Sequence, residues 1–289
     1  MFARIFGRIR ADTLVCPYDV LYNRGIKMTS NDLAFFKKWF SEYCSSFYSP
    51  DPGDQKNISL KEEHTFRVCR NTSEITEGLS LNDNRKMLAE TVALFHDIGR
   101  FPQYAEYKTF RDSVSVNHGL LGAQTIVEKG VLQNLSEEEQ EIIIQSVTFH
   151  NAFSVPKKEK EEIVFFLRLI RDADKLDIWR VFLEYYEGPE ESRASAVCLG
   201  LPDLPGYSED VLSRIYHKEI ISLANIRSLN DFKLLQLSWI FDLNFRPSFV
   251  LLAQRDYIRK IARCLPGTEQ MKRALAFLTE YVRMKTSSS

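Results

Sequence analysis

Four histidines and two aspartates stand in this chain in an order that suits a metal centre: His64, the adjacent pair His96-Asp97, His118, His150 and Asp174. Only five histidines occur in 289 residues, so His217 alone is left over, in a context (Arg214-Ile215-Tyr216-His217-Lys218) that reads as exposed helix. His96-Asp97 closes an apolar run, Leu94-Phe95-His96-Asp97-Ile98-Gly99-Arg100. An imidazole and a carboxylate buried there are costly unless something pairs with them. A divalent cation does so directly, because imidazole and carboxylate are its common nitrogen and oxygen ligands. A lone His-Asp pair would read as a helix end hydrogen-bonded to its own backbone. The companions, in a chain so poor in histidine, turn the reading to a metal.

The elements that must carry these residues are helical. Apolar residues recur at helical spacing through nearly everything after residue 30. Thr29-Ser30-Asn31-Asp32 offers helix-starting caps, and Ser59-Leu60-Lys61-Glu62 has the capping-box pattern expected to open the helix of His64. Leu81-Asn82-Asp83 should start the helix that ends at His96-Asp97, with Gly99 as the glycine just past its end. Asn117 caps a helix holding His118 and ending near Gly130; Ser136-Glu137-Glu138-Glu139 is a second capping box whose helix delivers His150 at its far end. The charged stretch 157–162 leads into a long helix carrying Asp174. Further helical runs fill 208–285 beyond the Pro- and Gly-punctuated stretch 188–206. A short strand could hide only in 11–22. The expected fold is all-α, with an N-terminal extension and helix in 1–57, a metal-binding core in 58–187 and C-terminal helices in 188–289 packed on it.

Composition narrows the classes. With 38 basic and 39 acidic residues the net charge is −1, so no long nucleic acid is expected as a partner. Cys16, Cys44, Cys69, Cys198 and Cys264 are odd in number and scattered, forming neither a metal clip nor a disulfide framework. No apolar stretch is long enough for a membrane span, and charges break the N-terminus too early for a secretory signal. A cytoplasmic location is expected.

Two segments carry a family resemblance. His96-Asp97-Ile98-Gly99-Arg100 resembles the HDIG core of the HD-domain superfamily of metal-dependent phosphohydrolases, and Asp172-Ala173-Asp174-Lys175-Leu176-Asp177 resembles its closing helix. With His64 they match the pattern H…HD…D, over roughly 58–180. Members with two extra histidines before the last aspartate hold two metals, and His118 and His150 lie in that interval. The resemblance therefore implies an HD-domain helical bundle. One metal falls to His64, His96, Asp97 and Asp174, a second to His118 and His150, and Asp97 bridges them. The ions would be divalent (Mn, Fe, Mg, Ni or Zn).

Two metals joined by an aspartate suit phosphoester hydrolysis, in which a bridging water becomes the nucleophile and the metals bear the charge developing on the phosphoryl oxygens. Asp97 is then the catalytic residue, and the substrate a small phosphorylated metabolite or nucleotide. The same ligands resemble the superfamily's mixed-valent diiron oxygenases, which is the alternative. A regulatory module that binds a nucleotide without turnover is the third reading, against which the complete ligand set argues. For the phosphate, the segment 100–111 interleaves cations with aromatics beside the metals, and Lys108 and Arg111 would share one side of a helical turn. Arg67 and Lys175, near His64 and Asp174, are the second candidates. The stripe Leu237–Phe245 reads as core, with Trp239 or Phe245 at a substrate entrance as the alternative.

Overall fold

Side-chain caps decide where the helices begin in the computed structural model, which describes residues 27–188 and 200–287. Helix α1 (Ser30–Ser45) opens at Thr29, whose hydroxyl accepts from Asp32 N while Asp32 accepts from Thr29 N. Helix α2 (Pro52–Gly78) begins earlier than the Ser59 capping box implies. Asp51 caps it by accepting from Asp54 N at 2.8 Å, and Pro52 supplies a first turn that needs no amide donor. Ser59 is thus interior, and 52–57 belong to the same helix as His64. Helix α3 (Asp83–Phe95) is capped by Asn82, α5 (His118–Glu128) by Asn117 and α6 (Glu137–Phe149) by the Ser136–Glu139 box. A short α4 (Arg100–Tyr107) lies between α3 and α5, and the long α7 (Glu161–Glu187) closes the core.

All regular structure among the described residues is helical. Helix α3 is the hub: Leu88, Ala89, Val92, Ala93, Leu94 and Phe95 are buried around its whole circumference. A helix apolar on every side must be surrounded, and α1, α2, α6 and α7 pack around it. Beyond residue 200 follow α8 (Glu209–Tyr216), α9 (Leu229–Ser238), a 3-10 turn (Trp239–Asp242), α10 (Arg246–Gln254), α11 (Tyr257–Arg263) and α12 (Glu269–Ser287). Helices α10 and α11 pack on α7, and α10 also meets α2.

Asp172 ties this C-terminal part to the core. Its carboxylate is fully buried and accepts from the backbone amides of Asn244 (2.9 Å) and Phe245 (3.0 Å). Burial raises its pKa, against the hydrogen bonds from Asn244. The stripe Leu237–Phe245 is mostly core: Leu237, Ile240, Leu243 and Phe245 are buried, while Trp239 is half-buried. His217 is exposed at the end of α8. Cys44, Cys69 and Cys264 are free thiols. The possible strand in 11–22, Cys16 and Cys198 lie outside the described residues. No described helix is long and apolar enough to cross a membrane.

Candidate metal centre

Gly99 does not end α3 as a left-handed cap; its φ is −67°, and it serves as the N-cap of α4. Its role is close approach. A Cβ there would overlap the His118 carbonyl oxygen and sit 2.6 Å from Gly122 N. The α3–α4 corner therefore presses directly onto the first turn of α5, which brings Asp97 and His118 together. Gly119 does the same against α6, where a Cβ would lie 2.8 Å from Thr148 O.

The six residues converge as two groups whose ligand atoms lie within 4.8 Å of one another: His64, His96 and Asp174 in one, and Asp97, His118 and His150 in the other. Asp97 faces both. Its Oδ1 is 3.3 Å from His118 Nε2 and 3.6 Å from His150 Nε2, while Oδ2 is 3.6 Å from His64 Nε2 and 3.8 Å from His96 Nε2. Asp174 Oδ1 is 3.1 Å from His64 Nε2 and 3.8 Å from His96 Nε2.

Each ring is oriented from behind through Nδ1. His96 Nδ1 donates to Ala93 O and His150 Nδ1 to Val147 O, both at 2.7 Å. A carbonyl oxygen can only accept, so these rings carry their proton on Nδ1 and leave Nε2 bare. His64 Nδ1 donates to Asp177 and His118 Nδ1 to Asp112, again at 2.7 Å. Carboxylates behind ligating imidazoles fix the tautomer in the same way.

Bare nitrogens then face each other, 3.0 Å apart between His118 and His150 and 3.4 Å between His96 and His64. Asp174 Oδ1 is buried with no hydrogen-bond donor. Lone pairs crowded this closely repel unless a cation lies among them. The donor set of imidazole nitrogens and carboxylate oxygens suits a divalent ion in each group.

A family model described as HD domain matches residues 62–179. This part of the chain is an HD domain. HD domains typically bind divalent metals, and most of them are metal-dependent hydrolases. Four of the six candidate residues sit at helix ends: His96 and Asp97 just past α3, His118 at the start of α5 and His150 just past α6. His64 and Asp174 project from the middles of α2 and α7. No curated protein and no solved structure matched the chain.

Electrostatics follow from burial. His96, fully buried, is held to a pKa of about 4, and His118, with Arg100 adding to the effect of burial, to about 3. Burial also opposes charge on His64, yet the carboxylates of Asp174 and Asp177 beside it outweigh this and its pKa is raised. Burial works against ionisation of Asp97 too, but Lys61, His96 and Arg100 hold it well below the usual carboxylate range.

The cavity at this centre, about 490 Å³, is lined by Lys61, Arg100, Arg171 and Lys175 together with Asp174 of the first group and Asp97, His118 and His150 of the second. Lys61 Nζ lies 2.7 Å from Asp97 Oδ2, and Arg100 pairs with Asp112 at 2.9 Å. Asp242 holds Arg171 and Lys175, both at 2.6 Å. Arg171 also donates to the His150 carbonyl at 3.0 Å and to that of Ala152.

Of the cations expected at the phosphate, Lys175 lines this cavity; Lys108, Arg111 and Arg67 are not among its described lining residues. Lys108 and Arg111 do not share a helical turn, because α4 stops at Tyr107 and Lys108 takes a left-handed conformation with φ 52°. Its ammonium pairs with Asp54 at 2.6 Å. Arg111 lies in extended backbone, and Arg67 is spent on Asp177 and Glu63. Lys61 and Arg100 were open to sequence reasoning, since Lys61 lies one turn before His64 on the same helix and Arg100 three residues after Asp97. Asp242 gave no such signal.

Proposed function

We propose that this HD domain is a two-metal phosphohydrolase, a phosphatase or phosphodiesterase of a small phosphorylated substrate. The observation that carries the reading is one cavity that joins Asp174 of the first group, Asp97, His118 and His150 of the second, and four cationic side chains. His64, His96 and Asp174 would hold one divalent ion, His118 and His150 the other, with one oxygen of Asp97 for each. Ions so bound acidify a shared water and bear charge developing on phosphoryl oxygens.

The chain's own residues do the rest. Asp177, Asp112 and two backbone carbonyls orient the imidazoles. Lys61, beside Asp97, is placed to hold a phosphoryl or leaving-group oxygen, and Arg171 and Lys175 offer charge-assisted contacts on the far side. In this reading 58–187 is the metal-binding core, 188–289 completes the cavity wall, and the protein works in the cytoplasm.

The test is a panel of phosphate mono- and diesters, assayed without oxygen on protein reconstituted with Mn²⁺. Release of phosphate or a phosphomonoester is expected. Strict dependence on oxygen, with a mixed-valent iron signal in electron paramagnetic resonance, would transfer the assignment to the oxygenase branch.

A further inference from the structure

The cavity extends well past the ligand groups, and its composition changes along the way. Helix α7 lines it with Arg171, Asp174, Lys175, Ile178 and Phe182, a single face that passes from charged to apolar. Phe182 comes eight residues after Asp174, about 12 Å further along the helix axis.

The opposite wall runs antiparallel with the same gradient. Asp242 meets Arg171 and Lys175, Trp239 and Leu235 follow, and Phe232 packs edge-on against Phe182 with ring centroids 4.9 Å apart. Ile221 adds a third side. Charge thus gathers at the metal end and hydrocarbon at the other. Ser222 and the Trp239 indole carry the only polar side-chain groups among the described residues of the far part. Several sugar or polyol hydroxyls placed there would lose more partners in water than these two groups return. At the rim, Phe153 and Leu223 expose 63% and 62% of their surface, so the apolar lining reaches solvent.

We infer that the substrate is the phosphate monoester of an apolar alcohol, with its phosphoryl group at the ligand groups and its alkyl or aryl part along Ile178, Phe182, Phe232, Leu235 and Trp239. The head end of this assignment rests on the phosphohydrolase reading. In the reaction a water oxygen bonds to phosphorus and the ester P–O bond breaks with its electron pair on the alcohol oxygen. That oxygen takes up a water proton, so the products are the alcohol and inorganic phosphate.

The experiment uses the full chain loaded with Mn²⁺ and a series of non-hydrolysable probes: ethyl-, butyl-, hexyl- and octylphosphonate. Binding is read by titration calorimetry, alongside turnover of the matching alkyl phosphates and of glycerol 3-phosphate. Affinity should rise roughly two- to fourfold per added methylene. Ile178→Gln should cut the octyl-to-ethyl ratio roughly tenfold, the worth of one to two methylenes. Leu223→Ser, at the exposed rim, gives a second reduced ratio should Ile178→Gln fail to fold. Equal binding across the series, no binding, or a preference for glycerol 3-phosphate overturns the inference. Chain-length-dependent phosphonate binding without turnover of any ester supports the apolar wall and defeats the hydrolase reading alone.

Discussion

Asp177 holds the Nδ1 of His64 at 2.7 Å from across the α2–α7 interface, and it does so while also accepting from Arg67 and Arg180. The ligating ring is therefore oriented by a residue three positions beyond the ligand Asp174 on α7. Asp177→Asn replaces an obligate acceptor with a group that can also donate, and releases the tautomer of His64. Loss of an outer partner of this kind typically costs 10- to 100-fold in metal affinity. One ion of two should weaken by that factor in a metal titration; two unchanged affinities would show that the ring needs no such support.

Asp97 stands with His118 and His150 and turns its Oδ2 to His64 and His96, whereas His64 belongs to one group. Asp97→Ala should therefore strip both ions and His64→Ala mainly one, read as metal content per chain by elemental analysis. Two ions retained in Asp97→Ala would remove the bridging assignment.

Acid should weaken the His64 group. A proton competes with metal for an imidazole up to the pKa of that imidazole. His118 is held to about 3 and His96 to about 4, so neither is protonated at pH 6. His64 is raised above its usual 6.5, so protons compete for it through neutral pH. Metal affinity of the His64 group should then fall as pH drops through neutrality, with protons released as its ion binds. Calorimetry in buffers of different ionisation enthalpy measures the proton count. A zero count at pH 7 contradicts the sign.

Gly99→Ala tests the close approach of α4 to α5. The backbone conformation suits any residue, so only the clash with His118 O and Gly122 N opposes the methyl group. Overpacking of this kind costs about 1–3 kcal/mol. A lowered urea midpoint is expected, with weakened binding of the ion shared by Asp97 and His118. Wild-type stability and metal content would mean that the corner yields freely.

Lys61 and Lys108 offer a matched pair for the anion wall. Lys61→Ala should lower kcat/KM roughly 10- to 100-fold, the value of a charge-assisted contact of about 1.5–3 kcal/mol. Lys108→Ala removes an exposed pair with Asp54 and a contact over the Tyr104 ring, both away from the cavity, and should leave kcat/KM nearly unchanged. The reverse ranking would return the phosphate to the α4–α5 segment.

The all-α architecture, the caps at Thr29, Asn82, Asn117 and Ser136, and the six histidines and aspartates that converge were legible in the chain, because capping and helical periodicity are local and histidine is rare here. The start of α2 was misplaced, since Asp51-Pro52 and Ser59–Glu62 are both acceptable helix openings and only packing chooses the longer helix. Gly99 was rightly singled out but for a left-handed cap it does not form; the need for no Cβ comes from α5, 19 residues further on. The same limit governs the cavity. Lys108 and Arg111 looked paired by spacing until a left-handed residue at 108 separated them, whereas Asp242 and Trp239, remote in sequence, reach the centre because Asp172 anchors their segment by its backbone amides. Sequence by itself determined which atoms can ligate and which segments coil. Only the tertiary structure decided which side chains share a cavity, because that depends on distances between helices that no local pattern encodes.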